Sequence, residues 1–242
     1  MVLGSALMLG GAILRFGAVP LGWAAGSPDP GSSPSPASAG DLATSPPAAL
    51  ASTDDLPDDA DLWFADDFIA EGAWPVGDLD LVVASISSAG YVLEADPADL
   101  PVVIVAAAGE GSPGGGGRSV TVQVVVTFGP GDPGVSAGPI LEDATGVRLM
   151  VLVSADGGVG LYRDSIESFD LLASASVAPP EGALTVGLTL DRGTVLVIAD
   201  GVAVTSAAVG AEPVAVGLAV WSPFGAATVS FGGYRVWSRL PA

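Results

Sequence analysis

The 242-residue chain carries 27 acidic side chains against 7 basic ones, for a formal net charge of -20. All seven bases are Arg; Lys, His, Cys and Asn are absent, and Gln123 is the single Gln. These absences exclude disulfide frameworks, zinc fingers, thiol nucleophiles and His-based triads, and the lack of a basic cluster argues against nucleic acid as a partner. Abundant Ala, Gly, Val, Pro and Asp, with Lys, Asn and Gln nearly missing, is a pattern that a GC-rich coding sequence produces. It also suits a saline environment.

Residues 2–25 are almost wholly apolar, interrupted by Arg15. A stretch of about 20 apolar residues is enough to span a bilayer. An Arg near its middle costs about 2.5–3.5 kcal/mol on insertion scales, which the apolar residues outweigh. A cleaved signal peptide is the alternative, with Val2–Leu14 as its apolar core. Against it, no base precedes the stretch and no small-x-small site directly follows Leu14; Gly22-Trp23-Ala24 is a late candidate. A buried soluble helix fits poorly with Gly4, Gly10, Gly11, Gly17, Pro20 and Gly22. Residues 1–26 therefore read as a hydrophobic helix, a transmembrane anchor in preference to a signal. The rest of the chain is then an extracytoplasmic domain of a single-pass membrane protein, or secreted if the segment is cleaved.

Residues 27–61 hold Pro28, Pro30, Pro34, Pro36, Pro46, Pro47 and Pro57. Such a segment cannot bury enough apolar surface to offset its ordering entropy, and reads as a disordered, extended tether. It turns acidic at its end, with Asp54, Asp55, Asp58, Asp59 and Asp61. Residues 41–80 contain eleven acids and no base, over half of the net charge. A solvated, self-repelling linker explains the run. Calcium capture by clustered carboxylates is the alternative, but no EF-hand spacing is present.

From residue 62 to 240 the pattern is β. In Ser119–Phe128, Val120, Val122, Val124, Val126 and Phe128 share one face, and Ser119, Thr121, Gln123, Val125 and Thr127 the other, as in a strand with one face in a core. Leu184, Val186, Leu188 and Leu190 repeat the alternation. Val147–Val153 is apolar at most positions, which suits a strand covered on both sides. Gly109–Gly117 reads as a loop; no Lys-Ser/Thr follows it, so it is no phosphate cradle. Asp156-Gly157-Gly158, Asp191-Arg192-Gly193 and Asp200-Gly201 separate apolar runs. Asp-Gly between β-branched runs is a strong hairpin signal, because a type I′ turn needs positive φ at both central residues. Many short strands in an antiparallel meander predict a sandwich or barrel.

These stretches resemble, in order, the bacterial laminin-G-like branch of the concanavalin A-like lectin/glucanase superfamily. Phe64-Ala-Asp-Asp-Phe68 followed by Trp74-Pro75 is similar to the family's "DDF…W" opening. Gly90-Tyr-Val-Leu-Glu94 resembles "GGYRIE", Ala137-Gly-Pro-Ile-Leu-Glu142 resembles "AGLVFR", and Asp156–Arg163 resembles "DGSYRLYR". Val197–Val204 is similar to "YVNGQLV", Val216–Ala219 to "VGLAV", and Val229–Val236 to "VRFDDFRV", with Gly232-Gly233 where the family has paired Asp. The resemblance implies an all-β, concanavalin A-like jelly-roll β-sandwich of two antiparallel sheets, covering about residues 64–238. This fold is shared by lectins, hydrolases and adhesion modules and does not settle function.

Four sets of residues are candidates for a site. Retaining glucanases of this superfamily carry Glu-x-Asp-x-x-Glu on one strand; the nearest match is Glu94-Ala-Asp96-Pro-Ala-Asp99. Retention needs carboxyl groups about 5–5.5 Å apart, and Pro97 breaks the strand that would hold them, so no catalytic residue is assigned. Trp63, Trp74, Tyr91, Tyr162, Trp221, Tyr234 and Trp237 are candidates for sugar stacking or for sandwich filling. Trp221 is out of phase with Val214, Val216, Leu218 and Val220 and faces outward at a strand end beside Pro223 and Phe224, with Arg163, Arg235 and Arg239 as donors near it; Trp221, Tyr162, Arg163 and Arg235 are the ligand-binding candidates. Trp74 and Trp237 are expected to seal the sandwich where its first and last strands pair. Asp143 and Asp156, with Glu142 and Asp164, are loop acids with enough oxygens for a structural calcium, although turn formation and solvation account for them more readily.

The expected function is an exported, membrane-tethered, non-catalytic β-sandwich that binds a glycan or a surface protein. The alternatives are a glycoside hydrolase of the same superfamily and a ligand-free structural or sensor ectodomain.

Overall fold

The computed structural model describes residues 61–239 other than 71, 108–112, 114–118 and 131–133. The 1–26 segment, the linker up to residue 60 and, apart from Pro113, the glycine-rich stretch 109–117 lie outside the described residues. No helix among the described residues is long and apolar enough to cross a membrane.

Fifteen strands are found among the described residues. They are β1 (Asp61–Asp66), β2 (Gly77–Asp78), β3 (Val82–Ser87), β4 (Gly90–Ala95), β5 (Val102–Val105), β6 (Ser119–Phe128), β7 (Ser136–Asp143) and β8 (Arg148–Ser154). After these come β9 (Gly158–Asp164), β10 (Phe169–Ser176), β11 (Leu184–Asp191), β12 (Thr194–Ala199), β13 (Val202–Ala208), β14 (Pro213–Trp221) and β15 (Ala227–Arg239). They form two antiparallel sheets. One has nine strands in the order β13-β12-β11-β6-β15-β4-β3-β2, with β1 also on β15; the other has six, β10-β9-β8-β7-β14-β5.

The period-two pattern places the core. Val120, Val122, Val124 and Val126 of β6 are fully buried, as are Val186 and Leu188 of β11. They face Leu149, Val151 and Val153 of β8 and Val216, Leu218 and Val220 of β14. Each such side chain contributes about 1.5–3 kcal/mol on leaving water. The two-residue turns form as their sequences require: Asp200 and Gly201 have φ of 46° and 76°, and Arg192 and Gly193 take the same values.

Strand β15 organises one edge of the core. Its first half pairs with β4 and its second half with β1, while β6 runs along its other side. The register slips between Gly232 and Arg235, a bulge in which Gly233 has φ of 58°. The extra residue resets the phase, so that Tyr234, Val236 and Ser238 point inward after Phe231. This corrects the expectation for Trp237, which falls out of phase onto the outer face beside β1 and does not seal the core. Trp74 does line the core, packed against Phe68, Tyr91 and Tyr234 with ring centroids 5.0–5.7 Å apart. Burial raises the Tyr91 and Tyr234 hydroxyls above their ordinary titration range, and they donate to the Pro75 and Gly217 carbonyls.

Candidate functional site

The six-stranded sheet has a second apolar layer on the face turned away from the core. Ile140 of β7, Met150 and Leu152 of β8 and Ala219 of β14 are buried there, although alternation points them outward. They are covered by Val103, Val105, Tyr162, Phe169 and Trp221, all partly exposed. This is why Val147–Val153 reads as covered on both sides. One side is the sandwich core and the other lies beneath three aromatic rings.

The rings belong to different strands. Tyr162 on β9 and Phe169 on β10 stack with centroids 4.9 Å apart and planes 6° apart. Trp221, at the end of β14, meets both edge-on at 6.3 and 5.9 Å. Strands β14 and β9 are separated by β7 and β8, and three strand spacings on a flat sheet come to about 14 Å. The Trp221 and Tyr162 side chains therefore lean toward each other across the sheet. Gly160 leaves room for this, since a Cβ there would lie 2.3 Å from the Tyr162 ring. Trp221 Nε1 donates to the Ala98 carbonyl at 3.1 Å, which fixes the indole. Burial also raises the Tyr162 hydroxyl's titration.

A charged row borders this platform. Glu142, Arg148 and Asp164 are cross-strand neighbours on β7, β8 and β9. Arg148 Nε donates to Glu142 at 2.7 Å and its Nη1 to Asp164 at 3.1 Å. The guanidinium thus clamps two carboxylates beside the rings.

Of the residues singled out in the sequence, Tyr162 and Trp221 are brought together, while Arg163 and Arg235 join neither of them. Arg163 alternates with Tyr162 and points from the opposite side of β9, where its charge acts on Asp143. Arg235 lies on β15 in the other sheet, donating to the Asp67 carboxylate and to the carbonyls of Asp66 and Tyr234. Strand alternation on β9 accounts for the placement of Arg163, and the separation of the two sheets for that of Arg235.

The proposed calcium pair is also separated. Asp143 ends β7 and Asp156 follows β8, so the seven residues of β8 hold them about 20 Å apart. Each acid builds its own turn. Asp143 accepts from the Thr145 amide and hydroxyl and the Val147 amide at 2.6–3.1 Å. Partial burial works to raise its pKa, but these bonds and Arg163 outweigh it and lower the pKa below the ordinary carboxylate value. Asp156 accepts from the Ser154 hydroxyl and the Gly158 amide, and these bonds likewise lower its pKa. Among the described residues no group of three or more carboxylates is placed to hold a metal ion. Glu94 stands exposed on β4, and Asp96 and Asp99 lie past that strand's end.

Phe169 and Arg148 were not legible as site residues. Phe169 begins β10, whose burial does not alternate cleanly because the register slips between Leu171 and Ala173. For Arg148, the signal available was the flanking pair of acids at Glu142 and Asp164, which only strand pairing connects.

The sequence matches no protein-family model and no curated protein sequence. The fold does have solved counterparts. A carbohydrate-binding module, CBM66 from Bacillus subtilis, aligns with a TM-score of 0.52 and 14% identity over 73% of this chain and 96% of its own. A Crh5 transglycosylase in complex with NAG aligns at 0.55 and 16% identity over 74% and 86%. Its apo form aligns at 0.52 and 15% identity over 76% and 88%. At these identities the shared property is the fold, a jelly-roll β-sandwich of two antiparallel sheets.

Proposed function

We propose that the chain is an exported glycan-binding module that engages sugar rings on the Tyr162–Phe169–Trp221 platform. The observation that carries this is a set of partly exposed aromatic rings held outside the core on an apolar floor. Aromatic faces bury the C–H faces of sugar rings, while polar groups at the rim take the hydroxyls. Glu142, Arg148 and Asp164 stand at that rim. Residues 2–25 anchor the module to the membrane, and residues 27–61 act as its tether.

The module is non-catalytic in this proposal. The two acids beside the platform each commit an oxygen to Arg148. A glycosidase needs one carboxyl free as acid and another facing it across the scissile bond. The fold's occurrence in a carbohydrate-binding module supports glycan recognition at the level of architecture.

A cell-surface protein is the second reading. Ile166, after β9, and Phe224, after β14, are 96% and 82% exposed. Exposed apolar side chains of this kind suit a protein contact.

Affinity electrophoresis of the full chain in gels containing neutral polysaccharides tests the first reading. Retardation is expected, with Trp221→Ala and Phe169→Ala running as in a gel without polysaccharide. Equal mobility of all three proteins in every gel would overturn it. Removal of residues 1–26 is expected to shift the protein from the membrane to the soluble fraction, and retention in the membrane contradicts the anchor.

A further inference from the structure

The aromatic platform belongs to a larger apolar face. Leu171 of β10 pairs with Tyr162, so their side chains share the outer face of the six-stranded sheet. Leu171 is 55% exposed. Exposed aliphatic groups beside stacked rings suit an occupant with apolar faces and few hydroxyls. The platform also holds a spare donor. The Tyr162 hydroxyl makes no hydrogen bond among the described residues, and burial raises its titration with nothing to offset it. Charge narrows the choice further. Two carboxylates, Glu142 and Asp164, share the single guanidinium of Arg148, which leaves the rim acidic and repels an acidic segment.

The chain itself contains a segment of the required chemistry. Residues 28–47 hold Pro28, Pro30, Pro34, Pro36, Pro46 and Pro47, and from Pro30 to Thr53 the one charged side chain is Asp41. Proline fixes φ near −65°, so such a segment offers pyrrolidine faces and free carbonyls at small entropic cost. Aromatic-lined surfaces take proline-rich chains in that form. Two residues of a polyproline II helix advance about 6 Å, which is the step from Pro28 to Pro30 and from Pro34 to Pro36. The Trp221 ring lies 6.3 and 5.9 Å from those of Tyr162 and Phe169.

The segment also reaches. Pro47 precedes Asp61, where β1 begins, by fourteen residues and Pro36 by twenty-five. At about 3.1 Å per residue these spans extend about 43 and 78 Å. The way from β1 round the sandwich edge to the platform is about 40 Å, counted in strand spacings of about 4.8 Å and a separation of about 10 Å between sheets. We infer that residues 28–47 dock in cis on the Tyr162–Phe169–Trp221 platform, as a polyproline II segment that a glycan must displace. The displacement, though not the docking, rests on the glycan reading.

The Trp221 indole reports on occupancy. The chain has five Trp, and Trp221→Phe identifies the Trp221 Nε1 signal in a ¹H–¹⁵N spectrum of the full chain in detergent micelles. Replacing Pro28, Pro30, Pro34, Pro36, Pro46 and Pro47 together by Ser is expected to move that signal. A synthetic peptide of residues 27–50 added to this variant is expected to return it saturably to its parent position. Phe169→Ala in the same background is expected to weaken the peptide at least tenfold. If that variant does not fold, Leu171→Ser, at an exposed position, is expected to weaken it at least threefold. An unmoved signal in the six-proline variant overturns the inference, as does a peptide without effect or one bound equally well by the platform variant. A parent signal that moves on dilution makes the occupant a second copy, which also overturns it. Polysaccharide gels separate this inference from the glycan reading: the six-proline variant is expected to bind at least threefold more tightly than the parent. Unchanged retardation removes the competition, and retardation of neither protein with an intact peptide response overturns the glycan reading alone.

Discussion

Tyr162 and Phe169 lie face to face on neighbouring strands, 4.9 Å apart with planes 6° apart, and together cover residues that their own strand alternation leaves outside the core. A sheet face that would otherwise show Met150 and Leu152 to water shows aromatic rings with polar neighbours. Replacing Tyr162 with Ala is expected to lower stability by about 1–3 kcal/mol, less than a fully buried aromatic because the residue is partly exposed. Urea unfolding measures this. A Tyr162→Leu, Phe169→Leu double-mutant cycle is expected to return a coupling of about 0.5–1.5 kcal/mol, and additive effects would contradict the stack.

Arg148 neutralises two acids on adjacent strands. Its side chain is only 16% exposed, and the partners are 22% and 25% exposed. Arg148→Met leaves Glu142 and Asp164 facing each other without a counter-charge. A loss of about 1–3 kcal/mol at pH 7 is expected, below the 3–5 kcal/mol of a fully buried pair. Urea unfolding of Arg148→Met, Glu142→Gln and the double variant is expected to return a coupling between the two sites, and additive effects would show that Arg148 acts by packing alone.

Two glycines on facing strands are expected to respond in opposite ways. A Cβ on Gly90 would lie 2.1 Å from the Phe231 carbonyl oxygen, and the residue has φ of +99°. Gly90→Ala is expected to cost more than about 3 kcal/mol, from positive-φ strain and displacement of β15 together. Gly232→Ala meets only open contact and is expected to change stability by about 1 kcal/mol or less, with the sign favouring Ala in a strand. Thermal unfolding of both variants checks the contrast.

Acid stability has an assigned contributor in Asp143. Its pKa is lowered in the folded chain, so its contribution is complete above the unfolded value of about 3.9 and fades as pH falls through the lower folded value. Asp143→Asn retains an acceptor for the Thr145 and Val147 amides without the proton linkage. The variant is expected to show a flatter stability profile than the parent below about pH 4. Parallel profiles in urea titrations from pH 5 to pH 2 would remove Asp143 from the account.

Much of the sandwich was legible because burial in a strand follows sequence parity. Val120 to Val126 and Leu184 to Leu190 declare their inner face by alternation, and Asp200-Gly201 declares its turn by the φ values that Asp and Gly tolerate. The bulge was harder to see. Gly232-Gly233 stood out as a departure from the family pattern, but a single inserted residue moves Tyr234 inward and Trp237 outward, and parity alone cannot show where phase changes. The platform was half legible. Trp221 announced itself by being out of phase, and Tyr162 by its strand, but neither Phe169 nor Arg148 carried a local signal.

By itself, the sequence determined the local chemistry: which residues alternate, where the chain turns, which catalytic side chains are missing, and that eleven of the acids fall in residues 41–80. Only the tertiary structure decided which distant residues share a face. It put Tyr162, Phe169 and Trp221 together, sent Arg235 to the other sheet, and placed Asp143 and Asp156 at opposite ends of β8. The physical reason is that strand pairing joins segments far apart in sequence, and a one-residue slip in register exchanges inside for outside. Alternation encodes each strand's two faces, and only pairing settles which faces meet.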